Sequence, residues 1–136
     1  MERHTETDAE RVRAIFAESA KVHEMAAESL AEVVAAAGAA VTNSLRAGNK
    51  VLLCGNGGSA SIASQMVVDL VKGGSYGREK RIKMISLTDS VATITAYGND
   101  VGYECVFVEQ LRNWAGKGDV LVAISGSGNS PNVIRA

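Results

Sequence analysis

The residues most informative about the fold are Val51-Leu52-Leu53-Cys54-Gly55-Asn56-Gly57-Gly58-Ser59-Ala60. Its leading apolar residues are typical of a buried parallel strand, and the glycines after them allow a tight turn into a helix. Two more apolar runs, at 82–87 and 120–124, also lead into loops. Because helical patterns lie between the runs, near 61–72, 91–97 and 103–114, the sequence predicts an α/β fold.

The α/β domain is expected to have three layers, with helices on both faces of a parallel sheet. A further helix is predicted to begin at Pro131, and no strand follows it before Ala136. We therefore expect a domain that is incomplete at its C-terminus, so that either the chain is a fragment or a partner completes it.

An amphipathic helical region precedes the sheet. Apolar residues recur there at three- and four-residue steps between Asp8 and Arg46. We expect this helix in two pieces, as a hairpin or a bent helix, with Asp8 as its N-cap and Gly48 near its end. The chain then divides into an N-terminal helical arm, 1–48, and an α/β domain, 49–136. Alanines on one face of the arm suit packing against either the domain core or a partner subunit.

The composition excludes several classes of protein. With 14 basic and 15 acidic residues the net charge is -1, so the chain lacks the basic field of a nucleic-acid-binding protein. No apolar run approaches the ~20 residues that cross a bilayer, and residues 1–7 are polar. We therefore expect no membrane span, no secretory signal and a cytoplasmic location. Cys54 and Cys105 lie in apolar surroundings without a CxxC pattern, which predicts buried, unpaired thiols.

The first loop of interest, residues 55–60, is called the glycine loop here. It follows a strand and opens a helix, where backbone N–H groups and the helix dipole favour an anion. The residue pattern of this loop also matches the dinucleotide-binding fingerprint G-x-G-x-x-A. That fingerprint expects an acidic residue ~20 positions onward, whereas the candidate Asp89 lies well beyond. A nucleotide-binding Rossmann domain and a tight turn without ligand remain as alternatives.

The second loop, residues 125–131, is called the serine loop. Pro131 suits a first helical turn and Ser130 suits the N-cap. Ser125 and Ser127 alternate with glycines, and no lysine or arginine is present, which suggests a phosphate held by neutral donors and a helix dipole. Since both loops follow parallel strands, we expect them to share one crevice.

These segments together resemble a known family. Residues 54–60, 86–89 with 98–100, and 124–133 look like the sugar isomerase (SIS) domain and, within it, the phosphoheptose isomerases. The resemblance implies a flavodoxin-like, nucleotide-binding-type architecture, a five-stranded parallel sheet between helices, assembled as a homotetramer with active sites at subunit contacts. It also implies interconversion of sedoheptulose 7-phosphate and D-glycero-D-manno-heptose 7-phosphate, a precursor of lipopolysaccharide or related glycans.

The resemblance also implies roles for particular residues. Those expected to contact the sugar phosphate are Asn56, Gly57, Gly58, Ser59, Asn99, Asp100, Ser125, Gly126, Ser127 and Ser130. The serine-loop residues among them would bind the phosphate, and Asn99 and Asp100 would meet sugar hydroxyls. On the residues alone, Asn99 and Asp100 could equally form a turn ahead of Gly102.

The chain departs from the family at the catalytic helix. Aldose–ketose isomerisation needs a base near the reacting carbon, and the family commonly has a His four residues before a Glu on one helical face, as catalysts or zinc ligands. Here these positions hold Gln65 and Asp69. Gln65 is a poor zinc ligand and cannot shuttle protons, whereas Asp69 keeps a carboxylate. We predict Asp69 as the catalytic residue, with Gln65 and Asp69 as the candidate zinc ligands, against local pairing of Asp69 with Lys72.

Two further consequences follow from this departure. The resemblance places a second catalytic histidine and a nearby glutamine beyond Ala136, while the two histidines of this chain, His4 and His23, lie in the N-terminal region. A non-catalytic SIS module that binds a sugar phosphate or regulates another protein is therefore the alternative to an isomerase.

Overall fold

The computed structural model describes residues 7–136; residues 1–6 of the predicted arm, including His4, lie outside this range. The chain divides into two compact units, one ending at Ala39 and one spanning Ala40–Ala136. The second unit therefore begins ahead of the boundary predicted between residues 48 and 49. The physical reason is that Val41 and Leu45 pack against the core of the sheet.

The predicted two-piece arm is wrong, because residues 8–46 form one continuous helix, α1 (Asp8–Arg46). No proline interrupts it, and Gly38 stands among alanines, the residues with the highest helix propensity. The N-cap also differs from the prediction by one residue. The Thr7 hydroxyl accepts from the Glu10 N–H at 3.3 Å, and the Glu10 carboxylate accepts from the Thr7 N–H at 2.8 Å, which is a capping box.

Helix α1 carries many exposed apolar side chains. Eight of them, between 49% and 72% exposed, are Val12, Ile15, Phe16, Val22, Met25, Leu30, Val33 and Val34. By length and composition alone this helix could also cross a membrane, which the sequence analysis did not anticipate. Core helices and signal sequences meet the same criterion, so the absence of a membrane span stays a prediction.

The sheet has three parallel strands, β1 (Val51–Gly55), β2 (Met84–Ser86) and β3 (Val120–Ile124), in the order β2-β1-β3. The prediction of β2 over 82–87 was too long, because only three residues pair with β1. The helices of this unit besides the end of α1 are α2 (Gly58–Val68), α3 (Val91–Asp100), α4 (Val108–Trp114) and α5 (Pro131–Arg135). A π-helix, Asp69–Gly74, continues α2, and a 3₁₀ turn, Tyr103–Cys105, precedes α4.

The core lies on both faces of β1, as three layers require. Leu52 and Cys54 belong to one apolar cluster, and Val51 and Leu53 belong to the other. This alternation follows from the two-residue period of a strand. Burial raises the pKa of the Cys54 thiol to about 11. Both Cys54 and Cys105 are buried and unpaired, so the prediction for the cysteines is confirmed.

An ion pair joins β1 and β3 where both strands begin. The Lys50 backbone N–H donates to Asp119 Oδ1 at 2.9 Å, and the Lys50 ammonium contacts Oδ2 at 2.5 Å. These hydrogen bonds lower the pKa of Asp119 to about 2, and the one from the Lys50 ammonium has the largest effect. Because an unfolded aspartate titrates near ~3.9, the pair contributes stability above about pH 4 that is lost as the pH falls towards 2.

We therefore expect Asp119→Asn to lower the free energy of unfolding at pH 7, and the difference from the parent to shrink between pH 4 and pH 2. Urea denaturation of both proteins at several pH values measures this. Asp8→Asn, at the exposed start of α1, is the matched control. A parent–variant difference that does not change with pH would contradict the assignment.

Candidate active site

The glycine loop joins β1 to α2 through a turn that only glycine permits at two positions. A Cβ on Gly55 would lie 2.8 Å from both C and Cβ of Ser59, and Gly57 has a φ of 53°. The amides of Ser59, Ala60 and Ser61 bond back to the loop. Within the described residues, no backbone acceptor is found for the N–H groups of Gly57 and Gly58. These two amides are therefore available to a ligand.

Gly55→Ala is expected to lower the free energy of unfolding by about 1–3 kcal/mol, because backbone must move to admit the methyl group. Gly73→Ala is the matched control, since a Cβ there meets nothing within 4 Å. Urea denaturation of the two variants compares them. Equal stability of Gly55→Ala and the parent would show that the tight turn is not required.

The serine loop begins opposite the glycine loop, because Ile124 of β3 is in register with Gly55 of β1. The Ser125 hydroxyl oxygen lies 3.4 Å from that of Ser127 and 3.1 Å from that of Ser130. Ser130 occupies the N-cap of α5, as predicted, but its side chain makes no capping bond. Three hydroxyl groups therefore converge on one point.

The glycine and serine loops meet through a pair of side-chain amides. Asn56 Nδ2 donates to Asn132 Oδ1 at 2.8 Å, and Asn132 Nδ2 donates to Asn56 Oδ1 at 2.9 Å. The Tyr103 hydroxyl also donates to Asn56 Oδ1, at 3.1 Å. A cavity of about 310 Å³ lies here, lined by Asn56, Tyr103, Glu104, Ser130, Pro131 and Asn132. The structure thus brings Asn56 of the glycine loop and Ser130 of the serine loop to one cleft. Its lining does not include the other predicted residues of the two loops, which are Gly57, Gly58, Ser59, Ser125, Gly126 and Ser127.

Three of the residues that line the cleft, Tyr103, Glu104 and Asn132, were not predicted as site residues. For Asn132 a signal was present, since an amide side chain between Pro131 and Val133 in a short helix next to the core needs a polar partner. The partner, Asn56, lies 76 positions earlier in the chain. No local pattern indicates that pairing.

Asn99 and Asp100 do not join this cleft in the described part of the chain. Both are exposed at the end of α3, where Asn99 Nδ2 donates to Asp100 Oδ1 at 2.7 Å. Asp100 lines a different cavity, of about 460 Å³, together with Tyr97 and Val101. Their contact with sugar hydroxyls stays a prediction.

Gln65 and Asp69 lie on one face of α2 and its continuation, as their spacing predicts. Gln65 Nε2 donates to Asp69 Oδ1 at 2.8 Å, and both side chains are exposed. Between residues 7 and 136, no ion pair joins Asp69 to Lys72. Asp69 is also the first residue of the π-helix, a local widening that is frequent at functional sites.

The residues at this position do not fit zinc. They supply one carboxylate and one amide, and the amide nitrogen is turned towards the carboxylate. Zinc in proteins is held mainly by thiolates, imidazoles and carboxylates. Across the described residues, no three His, Cys, Asp or Glu side chains are grouped to hold a metal. Zinc at Gln65 and Asp69 stays a prediction, and this pair of side chains does not favour it.

A hydroxyl and carboxylate cluster connects α2 to the loop after β2. The Ser64 hydroxyl donates to Asp89 Oδ1 and lies 3.3 Å from the Thr88 hydroxyl, which in turn lies 3.4 Å from Asp89 Oδ1. The carboxylate that a dinucleotide would need for its ribose is thus already bonded within the protein. This contact disfavours the Rossmann alternative.

The three-layer sheet and the paired loops define a class of protein, and comparison with known families identifies it. The model of the SIS domain matches residues 15–136, so the chain belongs to the SIS domain family. The expected fold class is confirmed by two solved structures. The phosphoheptose isomerase GmhA from Neisseria gonorrhoeae aligns with 95% of this chain at a TM-score of 0.86 and 39% identity. A phosphoheptose isomerase from Francisella tularensis aligns with 95% of it at 0.85 and 32% identity.

Two curated relatives are also named phosphoheptose isomerase. The chain is 42% identical over 127 residues to a phosphoheptose isomerase of Aquifex aeolicus, covering 93% of this chain and 65% of that one. It is 46% identical over 110 residues to one of Aliarcobacter butzleri, covering 80% and 57%. The chain spans 66% of each of the two solved structures. It thus corresponds to under two thirds of these curated relatives and about two thirds of these structures.

Proposed function

We propose that the protein is an aldose–ketose isomerase of sugar phosphates that interconverts sedoheptulose 7-phosphate and D-glycero-D-manno-heptose 7-phosphate. The observation that carries this proposal is the convergence of the Ser125, Ser127 and Ser130 hydroxyls beside the glycine loop. Its substrate is taken from the relatives named phosphoheptose isomerase. The product would enter lipopolysaccharide or related glycan precursors.

Phosphate binding is the first part of the proposal. Hydroxyl groups can rotate to donate to whichever oxygen is present. The hydroxyls of Ser127 and Ser130 lie within 3.4 Å of that of Ser125, so the three can bind a single anion. The N–H groups of Gly57 and Gly58 add donors from the neighbouring strand end. Hydrogen bonds to a charged acceptor are about twice as strong as neutral ones, so neutral donors suffice without an arginine or lysine.

Proton transfer is the second part. In the ketose-to-aldose direction the Asp69 carboxylate takes a proton from C1, which gives an enediol, and returns it to C2. O2 takes up a proton from solvent as the enediol forms, and O1 releases its hydroxyl proton to solvent as the aldehyde forms. The carboxylate is thereby regenerated, and no atom is gained or lost overall. The Gln65 amide, 2.8 Å from Asp69 Oδ1, orients the carboxylate for this transfer.

The proposal includes a homo-oligomer, a tetramer by family resemblance, working in the cytoplasm. The exposed apolar side chains of α1 support the oligomer. Phe16, at 72%, is the most exposed of them. Large exposed apolar patches are typical of protein interfaces. Sedimentation velocity tests this part, and a single-chain mass would contradict it.

The function is tested by following the turnover of sedoheptulose 7-phosphate by NMR. The protein concentration is varied from catalytic to stoichiometric amounts. The expected result is conversion to the aldose isomer at a rate that is proportional to the protein concentration. Calorimetry with the same compound runs in parallel. Binding with no conversion at any protein concentration would overturn the isomerase and would instead indicate the non-catalytic module.

A further inference from the structure

We propose that Asn132 is a positioning residue that fixes the amide of Asn56, so that Asn56 presents a hydrogen-bond donor and no acceptor to the ligand. This inference rests on the proposed function, because the ligand is taken to be the sugar phosphate in the cleft. Asn132 itself is only 2% exposed and is argued to act through Asn56.

Because Asn132 is buried, its side-chain amide needs hydrogen-bond partners within the protein. A buried amide without partners costs free energy comparable to one or more lost hydrogen bonds. Asn132 meets this requirement through its reciprocal bonds with Asn56, at 2.8 and 2.9 Å. Its neighbour Val133 is part of the core, 8% exposed, so the backbone that carries Asn132 is anchored. The position of the Asn132 amide is therefore determined by the fold and not by the ligand.

The hydrogen bonds that Asn56 already makes determine whether its side chain can still donate or accept. An amide oxygen accepts two bonds and an amide nitrogen donates two. Asn56 Oδ1 already accepts from Asn132 Nδ2 and from the Tyr103 hydroxyl. Asn56 Nδ2 donates one hydrogen to Asn132 Oδ1, and the described residues offer no acceptor to the second. Asn56 therefore faces the cavity with one free N–H.

The chemical consequence is selectivity for an acceptor atom. A free N–H donates to a phosphate oxygen, a carbonyl oxygen or a hydroxyl oxygen of the ligand, and it cannot accept from a sugar hydroxyl. In this arrangement the Tyr103 hydroxyl donates to the second acceptor position of Asn56 Oδ1, and in the opposite arrangement it would accept from Asn56 Nδ2. If both amides were rotated, Asn56 would keep an acceptor and no free donor.

The two side-chain protons of Asn56 test the direction. In uniformly ¹⁵N-labelled full-length protein, the Asn56 side-chain signal is identified by its disappearance in Asn56→Asp. We expect one of its protons to exchange slowly with solvent and the other rapidly, and the rapid one to shift when ligand is added. Inorganic phosphate and sedoheptulose 7-phosphate are added separately. A shift with both assigns the acceptor to the phosphate, and a shift with the sugar phosphate alone assigns it to the sugar.

Affinity in a double-mutant cycle tests the positioning role. Asn132→Leu, which is uncharged and similar in size, removes the hydrogen bonds to Asn56, and we expect a Kd for sedoheptulose 7-phosphate about tenfold higher or more. The same change in an Asn56→Ala background should have no further effect, which a general loss of structure would not reproduce. Tyr103→Phe deletes one hydroxyl on a half-exposed ring and should raise Kd about threefold or more. Asn113→Leu and Tyr76→Phe, both at exposed positions, are the matched controls.

Equal solvent exchange of the two Asn56 protons would overturn the inference, as would additive effects of Asn132→Leu and Asn56→Ala on Kd. Failure of the proposed function is distinguishable from this. In that case the parent binds no sugar phosphate, while unequal exchange of the Asn56 protons still supports the fixed amide.

Discussion

Asp69→Asn is expected to lower kcat for sedoheptulose 7-phosphate by about 10²- to 10⁴-fold, the range that general acid–base catalysis contributes. An amide of the same size cannot take the proton from C1. The Kd of the sugar phosphate should change little, because the serine loop and the glycine loop are untouched. Progress curves by NMR measure kcat, and calorimetry measures Kd.

Two variants make this result specific to the carboxylate. Asp69→Glu restores an acid with a longer side chain, and we expect more activity from it than from Asp69→Asn. Glu79→Gln, at an exposed position outside the cleft, should behave like the parent. An Asp69→Asn protein as active as the parent would show that another group is the base.

The double variant Ser125→Ala and Ser130→Ala is expected to weaken binding of sedoheptulose 7-phosphate by about 10²-fold or more. Each hydrogen bond to a charged group contributes about 1.5–3 kcal/mol, and about 1.4 kcal/mol corresponds to a factor of ten in Kd. The two hydroxyl oxygens lie 3.1 Å apart, so both are lost from one place. Calorimetry of the parent and the variant measures the change.

Sedoheptulose without phosphate provides the internal comparison, because its weaker binding should be the same in the parent and in the double variant. Ser29→Ala is the matched control for the loss of a hydroxyl, since the Ser29 hydroxyl donates to the Met25 carbonyl within α1. Unchanged affinity of the double variant for the phosphate ester would remove the serine loop from the site.

Much of the fold could be predicted because it depends on local patterns. β3 matches its predicted bounds and β1 is longer by one residue, Gly55, because each is a continuous apolar run. β2 is shorter than predicted since it is paired on one side only. The continuity of α1 could not be predicted from apolar spacing, because a straight helix and a hairpin share the same period. The capping box of Thr7 and Glu10 was visible in the sequence and was missed.

The candidate site, too, could be predicted from the sequence only where it depends on local patterns. The convergence of the Ser125, Ser127 and Ser130 hydroxyls follows from one short loop between a strand and a helix, so the sequence predicts it. The pairing of Asn56 with Asn132 depends on two loops meeting across the sheet, and residues 76 positions apart leave no common local pattern. Contact between Gln65 and Asp69 was predictable in position, from helical spacing, but the direction of their hydrogen bond was not.

The most direct test is a crystal structure of the protein with sedoheptulose 7-phosphate bound. We expect the phosphate oxygens within hydrogen-bonding distance, about 2.5–3.2 Å, of the Ser125, Ser127 and Ser130 hydroxyls, with the sugar extending past Asn56. A phosphate bound elsewhere, with the serine loop in contact only with solvent, would contradict the account.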